Sequence, residues 1–241
     1  MTLTECRNGT LTSAFSQTPG ALTITLITVA VLAILVYMDR IYSGQLKELG
    51  ENWPVVISLA INCTKTILPL ALLFFVLHMS PVSLGWVRGN TWQAVWKSFI
   101  VTLVMIAVIF IYRKYSHLVF GQPYVTSGER AVTGPISAAT FALGGFAALL
   151  NAFGEEIVFR GMLLPLLARK TNVVWALAVQ AIVFSGYHFF PFQNSVMLFI
   201  MGIIFGAGYL WSRSLLTPVL AHLLMNAAAV VGMAVTYINS V

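Results

Sequence analysis

Apolar residues fill this chain in long unbroken runs, separated by short polar connectors. A first run covers residues 21 to 38 and closes at Asp39 and Arg40. A second, 54 to 79, opens at Pro54 and carries Lys65 and Pro69; a third, 98 to 112, closes at Arg113 and Lys114. After a polar stretch from 115 to 134, apolar sequence returns from Pro135 to Leu167, interrupted by Asn151, Glu155, Glu156 and Arg160 and closed by Arg169 and Lys170. Further runs cover 173 to 187, 196 to 211 and 215 to 238. A bilayer core takes about 20 apolar residues per helix. The pattern therefore predicts an all-α, polytopic transmembrane helical bundle of about seven to eight membrane helices around a polar intramembrane cavity. The run that starts at Pro135 is too long for one ordinary span. It forms either one tilted helix or two helices broken near Phe153-Gly154. Barrel strands alternate in short segments, so these long continuous runs argue against a β-barrel.

Composition sharpens this reading. The chain has 241 residues, of which 59% are hydrophobic and 8% charged, with a mean hydropathy of +0.90. Soluble domains carry about 25% charged residues. The net charge of +6 is scattered between apolar runs and forms no stripe, so the partner it implies is the lipid bilayer and not nucleic acid. If 135–168 crosses once, one side carries Arg40, Lys47, Arg113, Lys114 and Arg130, and the other carries Arg7, Arg88, Lys97, Arg169, Lys170 and Arg213. If it crosses twice, Arg169, Lys170 and Arg213 join the first group, and the amino terminus lies outside. The loop expected over 80–97 carries Trp86, Trp92 and Trp96 as an aromatic belt. His78 and His117 read as interfacial, and Lys65 either lines a cavity or, the favoured reading, snorkels. Gly202 and Gly206 have the small-xxx-small spacing of close helix packing. Cys6 and Cys63 have no metal or redox spacing, residues 1–20 lack the basic start of a signal peptide, and Asn8-Gly9-Thr10 is a chance-level glycosylation triplet. With no repeat or low-complexity tract, residues 1–241 read as a single integral membrane domain.

Charges inside an apolar run are the chemical signal. One charged residue at the centre of a membrane helix costs about 2.5–3.5 kcal/mol on insertion scales, and such residues face protein or a wet cavity. Glu156 and Arg160 are four apart on one helical face and read as an ion pair. Glu155 is rotated about 100° from Glu156 and has no intrahelical partner. It is free to face a cavity, where a carboxylate suits general-base work. The alternative is a purely structural salt-bridge knot. Two further pairs follow, Phe184-x-x-x-His188 and His222-x-x-x-Asn226, and Asn151 lies four residues before Glu155. Together these supply a base, two imidazoles and an amide donor for an oxyanion. Helical rise opposes their convergence. Counted from the flanking charges, Glu155 lies about 21 Å deep, His188 about 27 Å and His222 about 13 Å, unless the last helix begins with a loop near Thr217-Pro218.

The motifs Glu155-Glu156-x-x-x-Arg160, Phe184-x-x-x-His188 and His222-x-x-x-Asn226, in this order on separate helices, resemble those of the CAAX protease and bacteriocin-processing (CPBP, or Abi) family of intramembrane endopeptidases. That family includes the CAAX prenyl protease 2 group. Gly161 after the arginine fits as well. The resemblance covers residues 135–235, a candidate catalytic core, whereas residues 1–134 hold helices without a matched motif. It implies that Glu155 activates a water with help from His188, that His222 and Asn226 stabilise the oxyanion, and that Glu156 and Arg160 support them. It also raises zinc. Glu155, His188 and His222 are the ligands a metal mechanism would use, but they lack the spacing of soluble zinc peptidases, and a mechanism without a cofactor is expected. The expected partner is a peptide or membrane-protein substrate, and the expected place a multi-pass position in a prokaryotic plasma membrane. Two other classes compete, a non-catalytic immunity or scaffold protein and a proton-coupled transporter. Only the transporter requires a membrane potential.

Overall fold

The computed structural model describes residues 19–46, 53–76, 86, 91–122, 124 and 138–238. Among these residues all regular structure is helical. Helix α1 spans Ala21–Leu46. Helix α2 spans Trp53–Ala71 and continues as a π-helical turn, Leu72–Val76. Helix α3 spans Thr91–Phe120. Helix α4 is one continuous rod: α-helical over Ala138–Glu156, π-helical over Ile157–Leu163 and α-helical again over Leu164–Lys170. Helices α5, α6 and α7 span Val173–Gly186, Phe192–Ser212 and Leu216–Ile238. Among the described residues four stretches are long and apolar enough to cross a membrane: Ala21–Ile41, Thr91–Phe120, Phe141–Lys170 and Phe192–Ser212. The apolar stretches of α2, α5 and α7 are shorter. The chain is a polytopic helical bundle of the expected class.

Helix α3 shows why the fold belongs in lipid. Its buried positions, Ala94, Ser98, Val101, Thr102 and Met105, recur at helical spacing and are mostly small or polar. Phe99, Leu103, Ile106 and Phe110 point outward and are exposed. Small residues inside and large apolar ones outside suit a hydrocarbon surround, where helices associate by close packing.

Several sequence expectations are corrected. The long fourth run is a single helix and is not broken at Phe153-Gly154; its irregularity is the π segment three residues later. A rod without a break corresponds to the single-crossing arrangement, whose near-even basic split assigns no orientation. Helix α3 starts before and ends after the predicted 98–112, because Arg113 and Lys114 extend from a helix long enough to reach past a hydrocarbon core of about 30 Å. Trp92 and Trp96 therefore lie on a helix rather than in a loop. Trp86 packs its ring 5.1 Å from that of Phe153, and its carbonyl accepts from Ser214 Oγ at 3.0 Å, so it plugs the bundle instead of joining a belt. Cys6, the 8–10 triplet, His78, Arg88 and most of 115–134 beyond α3 lie outside the described residues.

Helices α4 and α7 run antiparallel in a fixed register. The site of a Cβ on Gly161 lies 3.4 Å from Leu215, His222 meets Glu156, Asn226 bonds the Ala148 carbonyl, and the site of a Cβ on Gly145 lies 3.4 Å from Val230. This register removes the depth conflict. Helix α7 begins level with Gly161, already about 13 Å in from the Lys170 end, so six more residues bring His222 to the level of Glu156. His188 appeared too deep because the turn at Thr171-Asn172 was counted as helix; α5 starts only at Val173.

Helices α5 and α6 touch backbone to backbone at Gly202. A Cβ there would sit 2.9 Å from the Ala181 Cα, and one at Gly206 would sit 2.4 Å from Leu177 Cδ1. The small-xxx-small reading holds. At Gly202 the clash is with backbone and cannot be relieved by a rotamer. Gly202→Ala is expected to destabilise the bundle by about 1–3 kcal/mol, the usual range for overpacking. Thermal melting of the purified protein in detergent checks this, and an unchanged midpoint would contradict the packing.

Candidate active site

Two adjacent carboxylates leave α4 in different directions, each with its own partners. Glu156 points toward α7. Its Oε1 receives Arg160 Nη1 at 2.9 Å and lies 2.8 Å from His222 Nδ1. The i, i+4 ion pair thus forms as predicted, although the π turn begins between its members. Arg160 is completely buried. Its Nη2 donates to the Gly202 carbonyl at 3.3 Å, and its guanidinium lies over Phe184 and Phe205, 4.6 and 5.4 Å from the ring centroids. Gln180 Nε2 donates to the same Gly202 carbonyl at 2.8 Å. Gly202 therefore serves the site as well as the packing.

Glu155 points toward α2 and the end of α5. Its Oε1 lies 3.2 Å from Lys65 Nζ, 3.3 Å from Tyr187 Oη and 3.5 Å from His188 Nε2. All three contacts fall on one oxygen. Its Oε2 is buried and has no hydrogen-bond partner among the described residues. Here the sequence reading needs its main correction. Lys65 does not snorkel: its side chain is 6% exposed, and its Nζ bonds both Glu155 and Asn151 Oδ1. Glu155 lacks an intrahelical partner, as expected, but has an interhelical one.

His188 follows the last turn of α5. Its Nδ1 lies 2.7 Å from the Phe184 carbonyl. A carbonyl only accepts, so Nδ1 carries hydrogen, and a neutral His188 turns an accepting Nε2 toward Glu155. Its ring is 4.9 Å from that of Phe184, which gives the Phe184-x-x-x-His188 motif both a backbone and a ring contact. Arg40 Nε from α1 donates to the His188 carbonyl at 2.7 Å, and its guanidinium lies 3.8 Å over Phe190. Phe189 between them adopts the left-handed conformation, φ 51°, an unusual one for a bulky side chain. The histidine is thus held from α1 as well as α5.

Among the site residues read from sequence, Glu155, Glu156, Arg160 and His222 are buried together, and a half-buried His188 joins them through Glu155. Asn226 lies one turn beyond His222, with its Nδ2 donating to the Ala148 carbonyl at 2.7 Å. The His222 ring stacks on Phe205, with ring centroids 4.9 Å apart. Sequence reasoning missed Tyr187 and Gln180. Tyr187 stands directly before His188, and Gln180 stands four residues before Phe184 on the same face, so both signals were available. The zinc set fits poorly: among the described residues no three His, Cys, Asp or Glu side chains group as metal ligands, and the two histidines serve different carboxylates.

The fold and this cluster define a multi-pass helical membrane protein with a deeply buried charged site. Residues 137–228 match the family model described as type II CAAX prenyl endopeptidase Rce1-like. The matched segment holds every motif residue of the cluster and leaves out Lys65 and Arg40. No curated protein and no solved structure matches the chain.

Proposed function

We propose that this chain is an intramembrane endopeptidase that hydrolyses a peptide bond with a water activated by Glu155. The observation that carries the reading is the division of labour on that carboxylate. Oε1 accepts from Lys65 and Tyr187, His188 Nε2 stands beside it, and Oε2 is left to accept a proton. A water placed between Glu155 and His188 donates to Oε2 and to the accepting Nε2. Its oxygen attacks the peptide carbonyl carbon as its proton passes to Glu155. The carbon–nitrogen bond then breaks, and Glu155 returns the proton to the leaving amine. The products are a new carboxyl and a new amino terminus, and the base is regenerated.

His222 and Asn226 are the proposed oxyanion donors. Glu156 accepts from His222 Nδ1, so His222 reaches an oxyanion through Nε2 only as the doubly protonated ring. Asn226 keeps a second amide hydrogen and needs no change of charge. Arg160 and Gln180 fix Glu156 and the Gly202 carbonyl, which keeps this side of the site rigid. The substrate class is a peptide precursor or membrane-associated protein segment, of CAAX or bacteriocin-precursor type.

The test uses protein purified in detergent, without any gradient, and a panel of internally quenched peptides, some farnesylated with a CAAX end and some unmodified and hydrophobic. Cleavage without a membrane potential supports the peptidase. Transport of protons in vesicles with no cleavage would support the transporter class instead.

The proposed mechanism uses no metal. Dialysis against a strong chelator is expected to leave cleavage intact, with well under one equivalent of zinc in the purified protein. Loss on chelation and recovery on adding zinc would reassign Glu155, His188 and His222 as ligands. It would leave Glu156 as the base beside a metal-bound water.

A further inference from the structure

Lys65 stands in the half of the chain that carries no family motif, yet it is built into the site. Helix α2 approaches α4 where Gly154 removes a side chain: a Cβ there would lie 2.7 Å from the Lys65 carbonyl oxygen and 2.9 Å from Thr66 Oγ1. Thr66 Oγ1 locks the approach by donating to the Leu150 carbonyl at 2.8 Å. Lys65 then reaches two residues one turn apart on α4, Asn151 and Glu155. Its ammonium also faces the Tyr187 ring, 5.2 Å from the centroid.

The charge count gives this contact a purpose. Glu155 and Glu156 are two buried anions on consecutive residues, and Arg160 offsets only one. Lys65 is the second basic side chain of the cluster, so two cations match two carboxylates without calling on a histidine proton. Each imidazole, its Nδ1 already bonded, then keeps its Nε2 for proton and hydrogen-bond exchange. The contact also favours a direction. With Lys65 on Oε1 and anchored by Asn151, the carboxylate of Glu155 is biased toward one orientation, with Oε2 turned away from Lys65.

We infer that Lys65 is a positioning residue for Glu155, supplied by the amino-terminal half of the chain, which completes the charge balance of the site and aims the reactive oxygen. This rests on the peptidase reading for its kinetic part only; the coupling of Lys65 to Glu155 stands on geometry.

The test compares wild type, Lys65→Met, Lys65→Arg, Glu155→Gln and the double variant Lys65→Met/Glu155→Gln, all as the full chain in detergent. Each uncharged single variant leaves one buried charge unpaired and is expected to melt lower than wild type, whereas the double variant recovers most of the loss. Folded Lys65→Met is expected to turn over the quenched peptides about 10²-fold more slowly at unchanged KM, the scale of a misplaced reacting group. Lys65→Arg, which keeps the cation, should regain part of kcat. Additive melting losses, or a Lys65→Met enzyme with wild-type kcat, would overturn the inference. So would a Lys65→Arg variant as slow as Lys65→Met. If Lys65→Met yields no folded protein, the double variant decides: recovery supports the pairing and failure to recover overturns it. The peptidase reading fails separately, if wild type and Glu155→Gln behave alike on every peptide, and the melting cycle still reports on the Lys65–Glu155 pair.

Discussion

Glu155→Gln is expected to lower cleavage at least about 10²-fold per mole of folded protein, the usual scale for loss of a general base. The amide keeps the size of the side chain and can still accept from Lys65 and Tyr187 through its oxygen. What it loses is an oxygen able to take a proton from water, and Oε2 is the one atom of the group that the fold leaves without a partner among the described residues. Steady-state rates on the quenched peptides check this. Activity is normalised to folded protein because the substitution also strips Lys65 of its anion. Turnover near that of wild type would remove Glu155 from the role of base.

Arg160→Ala is expected to fail one step earlier, at folding. Arg160 is fully buried, holds Glu156, reaches the Gly202 carbonyl and fills the space between Phe184 and Phe205. Removing one half of a buried pair leaves the other uncompensated, at about 3–5 kcal/mol. His222 beside Glu156 does not replace a permanent charge. The variant should yield less folded protein and melt well below wild type in detergent. A melting temperature equal to that of wild type would show that the ion pair contributes little to the bundle.

Local patterns were legible because they need only one helix. The ion pair of Glu156 with Arg160 and the facing of Phe184 and His188 follow from i, i+4 spacing, and they survive even where α4 turns π-helical. The class of fold was legible from the apolar runs. What a single sequence does not encode locally is register between helices. Lys65 looked like a snorkelling cation because its partners lie 86 and 90 residues away on α4. The depth of His222 looked inconsistent because α7 starts beside Gly161 and not at the level of the other helix ends. Glycines carried much of this hidden information. Gly154 lets α2 touch α4, and Gly202 lets α6 touch α5, but the sequence marks only a small residue and not its neighbour. Arg40 gave no signal at all, since the His188 carbonyl and the Phe190 ring that it meets lie just past α5, the carbonyl 148 residues away in sequence.

The central claim is that this buried cluster breaks peptide bonds through Glu155. The most direct test incubates a labelled membrane proteome with detergent-purified wild type beside Glu155→Gln, at equal folded concentration and without a gradient, and reads new termini by mass spectrometry. The account predicts a defined set of new carboxyl and amino termini with wild type that is missing with Glu155→Gln. The same set in both samples, or no new termini with wild type, would contradict it.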